Sequence, residues 1–351
     1  MTPPSAIDGL GGWSRILGML VDGRDLAPEE AAAGLASVLA GEATPAQLAA
    51  FIVALRVKGE TVAEVAGMVG AMLDAAEPLE LPPGTIDIVG TGGSPRRRSK
   101  ALNVSTMACV VAAAAGATVC KHGNVKASST SGSFDLLGLL GVAFDLDGPA
   151  LAAVVREVGL GFCFARAFHP AMRHAGPVRA ELGVPTVFNL LGPLSHPGHV
   201  TRQVVGVGDP RSLDLVAGTL AARGHVHALV VHGDGALDEI ALTGPTAVRE
   251  IRDGEVVDAR TIDPAEAGLA TVAADDLPGG EPAENAAIAR RVLAGEPGPA
   301  RDIVVLNAGA GLYVAGRADS IAEGARLAEA AIDDGSAGSM LERVAARTQA
   351  G

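Results

Sequence analysis

The stretch from Lys121 to Gly132, Lys-His-Gly-Asn-Val-Lys-Ala-Ser-Ser-Thr-Ser-Gly, gathers residue types that handle anions. Glycines and small hydroxyl residues present backbone N–H groups, and a lysine adds a positive charge. A lysine at the end of a strand is poorly explained as packing, because a buried ammonium needs an anionic partner. Upstream, Gly90-Thr91-Gly92-Gly93 directly follows the apolar run Ile86–Val89, so the backbone can approach an anion closely there. The turn is neither a Walker A loop nor a dinucleotide fingerprint. Asn103-Val104-Ser105-Thr106 precedes a helix predicted from near Met107. Its plain reading is an N-cap, with Ser105 or Thr106 accepting from the first turn; the same groups also suit a phosphate or a magnesium ion. Asp238-Glu239 follows a strand predicted to end near Gly233. Neighbouring carboxylates are often only solvated charges, but at a strand end they can share magnesium bound to a pyrophosphate. His169 and Arg179 fall in a predicted helical stretch. Either suits a surface, and an arginine beside an apolar pocket can also hold a carboxylate in bidentate fashion. In this order, the set describes a site for a phosphorylated, magnesium-bound ligand.

Two kinds of element must position these residues. Residues 1–82 read as a small helical domain. Thr44-Pro45-Ala46-Gln47 and Thr61-Val62-Ala63-Glu64 are capping boxes, the first with proline at the opening helical position, and Gly59 can close the first helix. Val65, Met68, Val69 and Met72 then recur at helical spacing, and Pro78, Pro82 and Pro83 mark a linker. From residue 84 onward the pattern predicts a larger α/β domain with a mostly parallel central sheet flanked by helices. Its strands are short apolar runs: Ile86–Val89, Thr118–Cys120, Val204–Val207, Ala228–Val231 and Ile303–Leu306. Alanine-rich stretches at Met107–Ala115, Leu213–Ala222 and Ile321–Ile332 predict the intervening helices. In such sheets ligands bind beyond the carboxyl ends of the strands, where the glycine turns, Lys121 and His232 fall. Residues 253–300 are acidic, rich in Pro and Gly, and read as a surface excursion with a few edge strands.

Composition narrows the function. A net charge of −13 argues against nucleic acid as the main partner, since phosphate contacts need clustered Lys and Arg. The three cysteines, Cys109, Cys120 and Cys163, lack metal spacing and read as buried apolar residues in a reducing compartment. With no signal pattern and no apolar run of membrane-spanning length, the expectation is a cytoplasmic protein.

The order of motifs resembles that of the anthranilate phosphoribosyltransferase family over nearly the whole chain. The matching segments are Thr44–Glu60, Gly90–Gly93, Asn103–Thr106, Lys121–Asn124, Ser128–Ser133, His169–Arg179, Thr186–Pro193, Leu237–Pro245 and Leu306–Gly316. The resemblance implies a nucleoside-phosphorylase-like phosphoribosyltransferase fold, its helical domain completed by helices near 168–190, and a homodimer joined through the helical domains. It implies that Gly90, Gly92, Gly93, Asn103, Ser105, Thr106, Lys121 and Ser133 hold phosphoribosyl pyrophosphate, with Ser105, Asp238 and Glu239 binding Mg2+. Gly90, Asn124, His169 and Arg179 would then bind anthranilate, with Arg179 nearest its carboxylate. Lys121 would stabilise the leaving pyrophosphate, and His122 is a further catalytic candidate.

Three features depart from the family pattern. Ser94 stands where an aspartate is usual, the Ser94–Lys100 loop is longer and carries Arg96-Arg97-Arg98, and Val125 replaces an arginine. All three touch the phosphoribosyl side. They keep open a diverged paralogue with another aromatic acceptor and a non-catalytic homologue that binds nucleic acid through the arginines.

Overall fold

The computed structural model describes residues 6–92, 102–125 and 131–350. The chain begins with five helices, α1 (Ala6–Gly9), α2 (Gly12–Val21), α3 (Pro28–Leu39), α4 (Pro45–Lys58) and α5 (Val62–Asp74). Both capping boxes form. The Gln47 N–H donates to Thr44 Oγ1 at 3.2 Å and the Thr44 N–H to Gln47 Oε1 at 2.9 Å. At α5 the Thr61 N–H donates to Glu64 Oε2 at 2.8 Å, while Glu64 Oε1 accepts from the Leu26 N–H at 2.9 Å. Lys58 Nζ reaches the same buried carboxylate at 3.0 Å, so one capping residue ties α4, α5 and the approach to α3 together.

Seven strands follow: β1 (Ile86–Gly90), β2 (Val119–Gly123), β3 (Leu160–Phe164), β4 (Arg202–Gly206), β5 (His227–Gly233), β6 (Thr246–Arg252) and β7 (Glu255–Ile262). They form one sheet in the order β3-β2-β1-β4-β5-β6-β7. The first five are parallel, and the β6–β7 hairpin adds antiparallel to the edge of β5. Helices α6 (Val104–Ala114), α7 (Ser133–Leu139), α8 (Gly148–Val158), α9 (Ala165–Phe168), α10 (Gly176–Leu182), α11 (Phe188–Leu194) and α12 (Leu213–Ala222) connect the strands. Four more, α13 (Pro282–Leu293), α14 (Pro299–Val314), α15 (Ile321–Asp333) and α16 (Ser336–Gln349), close the chain.

Alternate residues of the buried strands serve opposite faces. Ile86, Ile88, Val204, Leu229 and Val231 pack with α6 and α13–α16. Val89, Val205, Val207 and Val230 join the apolar cluster that holds the amino-terminal helices and α12. Val178, Phe188 and Leu191, from the segment between β3 and β4, belong to that second cluster as well.

Several sequence expectations shift. Ile303–Leu306, read as a strand, lies inside α14. A short apolar run cannot by itself separate a buried strand from a buried helix, and Pro299 at the helix start with burial on every side decides for helix. The helix expected from Met107 starts at Val104, so Ser105 and Thr106 sit in its first turn and the cap position is Asn103, which makes no side-chain cap bond. β2 runs to Gly123, placing Lys121 inside the strand rather than beyond it. The helical stretch expected around His169–Arg179 breaks into α9, a 3-10 turn at Pro170–His174, and α10. Residues 253–300 supply one edge strand, β7, and a full helix, α13.

Two glycines let α14 and α15 cross at backbone contact. A Cβ on Gly309 would lie 2.6 Å from the Ala325 nitrogen and 2.8 Å from the Ile321 oxygen, and Gly324 faces Gly309 directly. Gly309→Ala is expected to cost about 1–3 kcal/mol by forcing the helices apart. A urea unfolding curve checks this through a lower midpoint at unchanged slope.

Candidate active site

The strand order reverses between β1 and β4, and there the first connection runs one way and the later ones the other. Such switch points open a crevice beyond the carboxyl ends of the strands. Here the two strands end in register on Gly90 and Gly206. The segment Leu237–Glu239 lies across these ends. A Cβ on Gly90 would overlap the Asp238 carboxylate, one on Gly206 the Asp238 carbonyl, and one on Gly233 the Glu239 carbonyl. The three glycines are therefore the space the carboxylate segment occupies. Asp238 Oδ2 accepts the Gly92 N–H at 2.7 Å, so the glycine turn and the acidic pair are in direct contact. Burial raises the Asp238 carboxyl pKa, and the Gly92 hydrogen bond opposes it.

On the other side of the turn, Asn103 Oδ1 accepts from Ser131 Oγ at 2.8 Å and from Asn285 Nδ2 at 3.0 Å. Asn103 Nδ2 donates to the Ser131 carbonyl at 3.3 Å. Asn285, on α13, is buried and further held by Gly280, whose N–H donates to Asn285 Oδ1 at 3.1 Å. Sequence reasoning missed it, since an asparagine in a stretch read as a surface excursion carries no local signal. Thr106 Oγ1, in the first turn of α6, is buried with no hydrogen-bond partner. Ser133 Oγ donates to the Asn124 carbonyl at 3.1 Å and packs onto Gly123, where a Cβ would overlap it. Val125, at the arginine position, packs against the apolar core. Gly93, the Ser94–Lys100 loop, Lys126 and Ser128–Thr130 lie outside the described residues.

Strands β1 and β2 pair only at Ile86 and Val119, and beyond that point side chains bridge the gap. The His122 N–H donates to Asp87 Oδ1 at 3.2 Å, and Lys121 Nζ donates to the Ile88 carbonyl at 2.6 Å. Burial pushes the Asp87 carboxyl up to about 7, against the pull of the Lys121 charge. His122 Nδ1 faces the Gly192 carbonyl at 3.1 Å, which places its proton on Nδ1. Nε2 is thus a lone-pair acceptor, buried and without a partner among the described residues. Burial holds the ring neutral, its pKa well below the ordinary histidine value. The His122 ring centroid lies 5.3 Å from that of His169 and 5.6 Å from that of His196. The outer two rings are tied to backbone, His169 Nε2 to Ser195 O at 3.0 Å and His196 Nε2 to Cys120 O at 2.9 Å.

Arg179 packs over the Phe188 ring, 5.0 Å from its centroid. It has no carboxylate partner among the described residues, and burial alone lowers its pKa. The structure thus joins Gly90, Gly92 and Asp238, then Asn103 with Ser131, then Asn124 with Ser133, and finally His122 with His169. Arg179 lies in the helical segment between β3 and β4. Glu239 is neighbour to Asp238 on the same crossing segment.

The helical bundle and the α/β sheet with its switch-point site are those of a glycosyl transferase. The family model for the helical bundle domain matches residues 14–76, and that for the a/b domain matches residues 82–338. The chain belongs to the anthranilate phosphoribosyltransferase family. It is 48% identical to the anthranilate phosphoribosyltransferase of Nocardioides sp., an alignment covering 96% of this chain and 98% of that one. That of Saccharopolyspora erythraea is also 48% identical, with 96% of each chain covered. Among solved structures, the anthranilate phosphoribosyltransferase of Thermus thermophilus superposes with a TM-score of 0.89 at 45% identity, covering 95% of this chain and 99% of that one. That of Saccharomyces cerevisiae in complex with phosphoribosyl pyrophosphate and Mg gives 0.87 at 27% identity, covering 96% and 98%.

The buried imidazoles give the fold an acid limit. Burial lowers the pKa of His169, His196 and His225 to about 4, against 6.5 when unfolded. A lowered folded-state value means that neutral rings favour the fold above pH 6.5, and that this contribution is lost as pH falls toward 4. Each ring steepens the fall in stability by up to about 1.4 kcal/mol per pH unit in that window. Urea unfolding at a series of pH values reads the slope, and His196→Asn should flatten it by one proton.

Proposed function

We propose that this chain transfers the phosphoribosyl group from phosphoribosyl pyrophosphate to anthranilate, the step of tryptophan biosynthesis that yields N-(5-phosphoribosyl)anthranilate and pyrophosphate. The observation that carries the reading is the meeting, at the reversal of strand order, of an anion-binding glycine turn with a carboxylate pair. Identity to the named relatives over the full length supports it, and so does the Saccharomyces structure in complex with 4-fluoroanthranilate.

In the reaction, the anthranilate nitrogen bonds to C1 of the ribose while the C1–oxygen bond to pyrophosphate breaks, and the nitrogen loses a proton. Gly90, Gly92, Gly93, Asn103, Ser105, Thr106, Lys121 and Ser133 are assigned to the donor. The unpartnered Thr106 hydroxyl and the two further N–H groups of the Lys121 ammonium are available to it. Lys121 lowers the energy of the negative charge that builds on the departing oxygen. Gly90, Asn124, His169 and Arg179 are assigned to the acceptor, and the unpaired Arg179 guanidinium suits a carboxylate. Since an aniline nitrogen is already nucleophilic, little base is needed, and the His122 Nε2 lone pair is assigned to accept the released proton.

Ser105, Asp238 and Glu239 would hold Mg2+. The all-oxygen donor set fits this hard ion. The ion would take its remaining ligands from the donor's phosphates and water. Bound there, the ion supplies charge stabilisation to the pyrophosphate oxygens. The chain is assigned to a cytoplasmic homodimer joined through its helical domain, residues 1–82 together with the helices between β3 and β4. Residues 84–351 make up the larger domain. No helix among the described residues is long and apolar enough to cross a membrane.

Loss of anthranilate fluorescence on adding phosphoribosyl pyrophosphate and Mg2+ tests the activity directly; no loss would refute it. Lys121→Ala and Asp238→Ala are each expected to lower kcat/KM by about 100-fold or more while far-UV circular dichroism shows the fold retained. Arg179→Ala should raise the KM for anthranilate by about tenfold, with the donor KM within twofold, because only the acceptor loses a charged hydrogen bond. A defect confined to the donor side would remove Arg179 from the acceptor site.

A further inference from the structure

Helix α14 is apolar and buried along almost its whole length, with Ile303, Val304, Val305 and Leu306 at 0% exposure. Asn307 breaks that pattern at 2% exposure. A buried amide is costly unless paired, so its partners indicate its use. Its Oδ1 accepts the Ile240 N–H at 2.9 Å, and its Nδ2 donates to the Ile240 carbonyl at 2.9 Å. A second Nδ2 bond goes to the Ile303 carbonyl at 2.9 Å, which fixes the amide on its own helix. Asn307 therefore grips both backbone groups of one residue, as a neighbouring strand would. That residue immediately follows Asp238-Glu239. No other side chain hydrogen-bonds the Ile240 backbone among the described residues, and the next N–H, of Ala241, is held by Thr246 Oγ1 at 2.9 Å.

We infer that Asn307 is a positioning residue for the metal-binding carboxylates. Resting on the assignment of Asp238 and Glu239 to Mg2+, the inference is that the amide clamp fixes where the segment lies over Gly90, Gly206 and Gly233. The glycines exclude any lower position, because the Asp238 and Glu239 carbonyls already fill the space of their missing side chains. The clamp excludes lifting away. Between these limits the segment that carries the two carboxylates has little freedom left to lose on binding the ion.

The test compares Asn307→Ala with Asp238→Asn and with Leu220→Ala, a core truncation in α12 that loosens the fold away from the site. Two quantities are read: the Mg2+ concentration that half-maximally raises the melting temperature in saturating phosphoribosyl pyrophosphate, and the KM for anthranilate. Removing a residue that orients metal ligands typically costs about 10–100-fold in metal affinity. Asn307→Ala should raise the Mg2+ midpoint by about tenfold or more, with the anthranilate KM within twofold, while Leu220→Ala moves neither. Should Asn307→Ala not accumulate folded, Thr246→Val, which releases the Ala241 N–H with little change in shape, is expected to shift the midpoint in the same direction. An unchanged midpoint in whichever of these variants folds overturns the positioning role, provided Asp238→Asn shifts it. If Asp238→Asn also leaves it unchanged, the metal assignment itself is wrong, and the inference falls with it.

Discussion

Everything functional in this molecule depends on one steric fact: three strands end in glycine where a fourth segment must cross them. Backbone atoms of Asp238 and Glu239 sit where the Cβ atoms of Gly206 and Gly233 would be, and the Asp238 carboxylate sits where that of Gly90 would be. Nothing softer than missing side chains permits this, because backbone cannot yield by changing rotamer. The crossing brings an acidic side chain to the N–H of Gly92, and so joins the two halves of the site that the chain keeps far apart. It also makes the site a property of the sheet rather than of a free loop, which keeps its geometry tight at small entropic cost.

The polar interior around β1 and β2 follows from a second constraint. The two strands separate after a single pair, leaving backbone groups in the sheet's centre that need partners. Asp87 takes the His122 N–H, Lys121 takes the Ile88 carbonyl, and His196 takes the Cys120 carbonyl. Two of the groups in this repair, Lys121 and His122, are among those proposed above to meet the substrates. The repair accounts for a lysine and two histidines, His122 and His196, buried beside β1 and β2. Burial keeps the His122, His169 and His196 rings neutral.

Much of this was legible beforehand. The capping boxes at Thr44 and Thr61 are local and self-contained, so their spacing alone located α4 and α5. Glycine after an apolar run located the ends of β1 and β5, whereas β4, read as Val204–Val207, ends at Gly206; the order of the motifs identified the family. Errors fell where local pattern is ambiguous or long-range packing decides. Ile303–Leu306 has strand composition but is wrapped on all sides, which only a helix of α14's length can use. Asn285 and Asn307 gave no local sign of importance, since each acts on a residue more than sixty positions away.

The sequence by itself determined which residue types are present, the capped starts of α4 and α5, and the family to which the chain belongs. These depend on short-range sterics and hydrogen bonding that a few neighbouring residues settle. Only the tertiary structure decided that β1 and β4 meet at the reversal of strand order, that Asp238 reaches Gly92, that the His122 proton lies on Nδ1, and that Arg179 has no carboxylate partner among the described residues. Those depend on pairings between distant segments, where the energy lies in exclusion of volume and in satisfying buried polar groups, and neither is written into any single stretch of the chain.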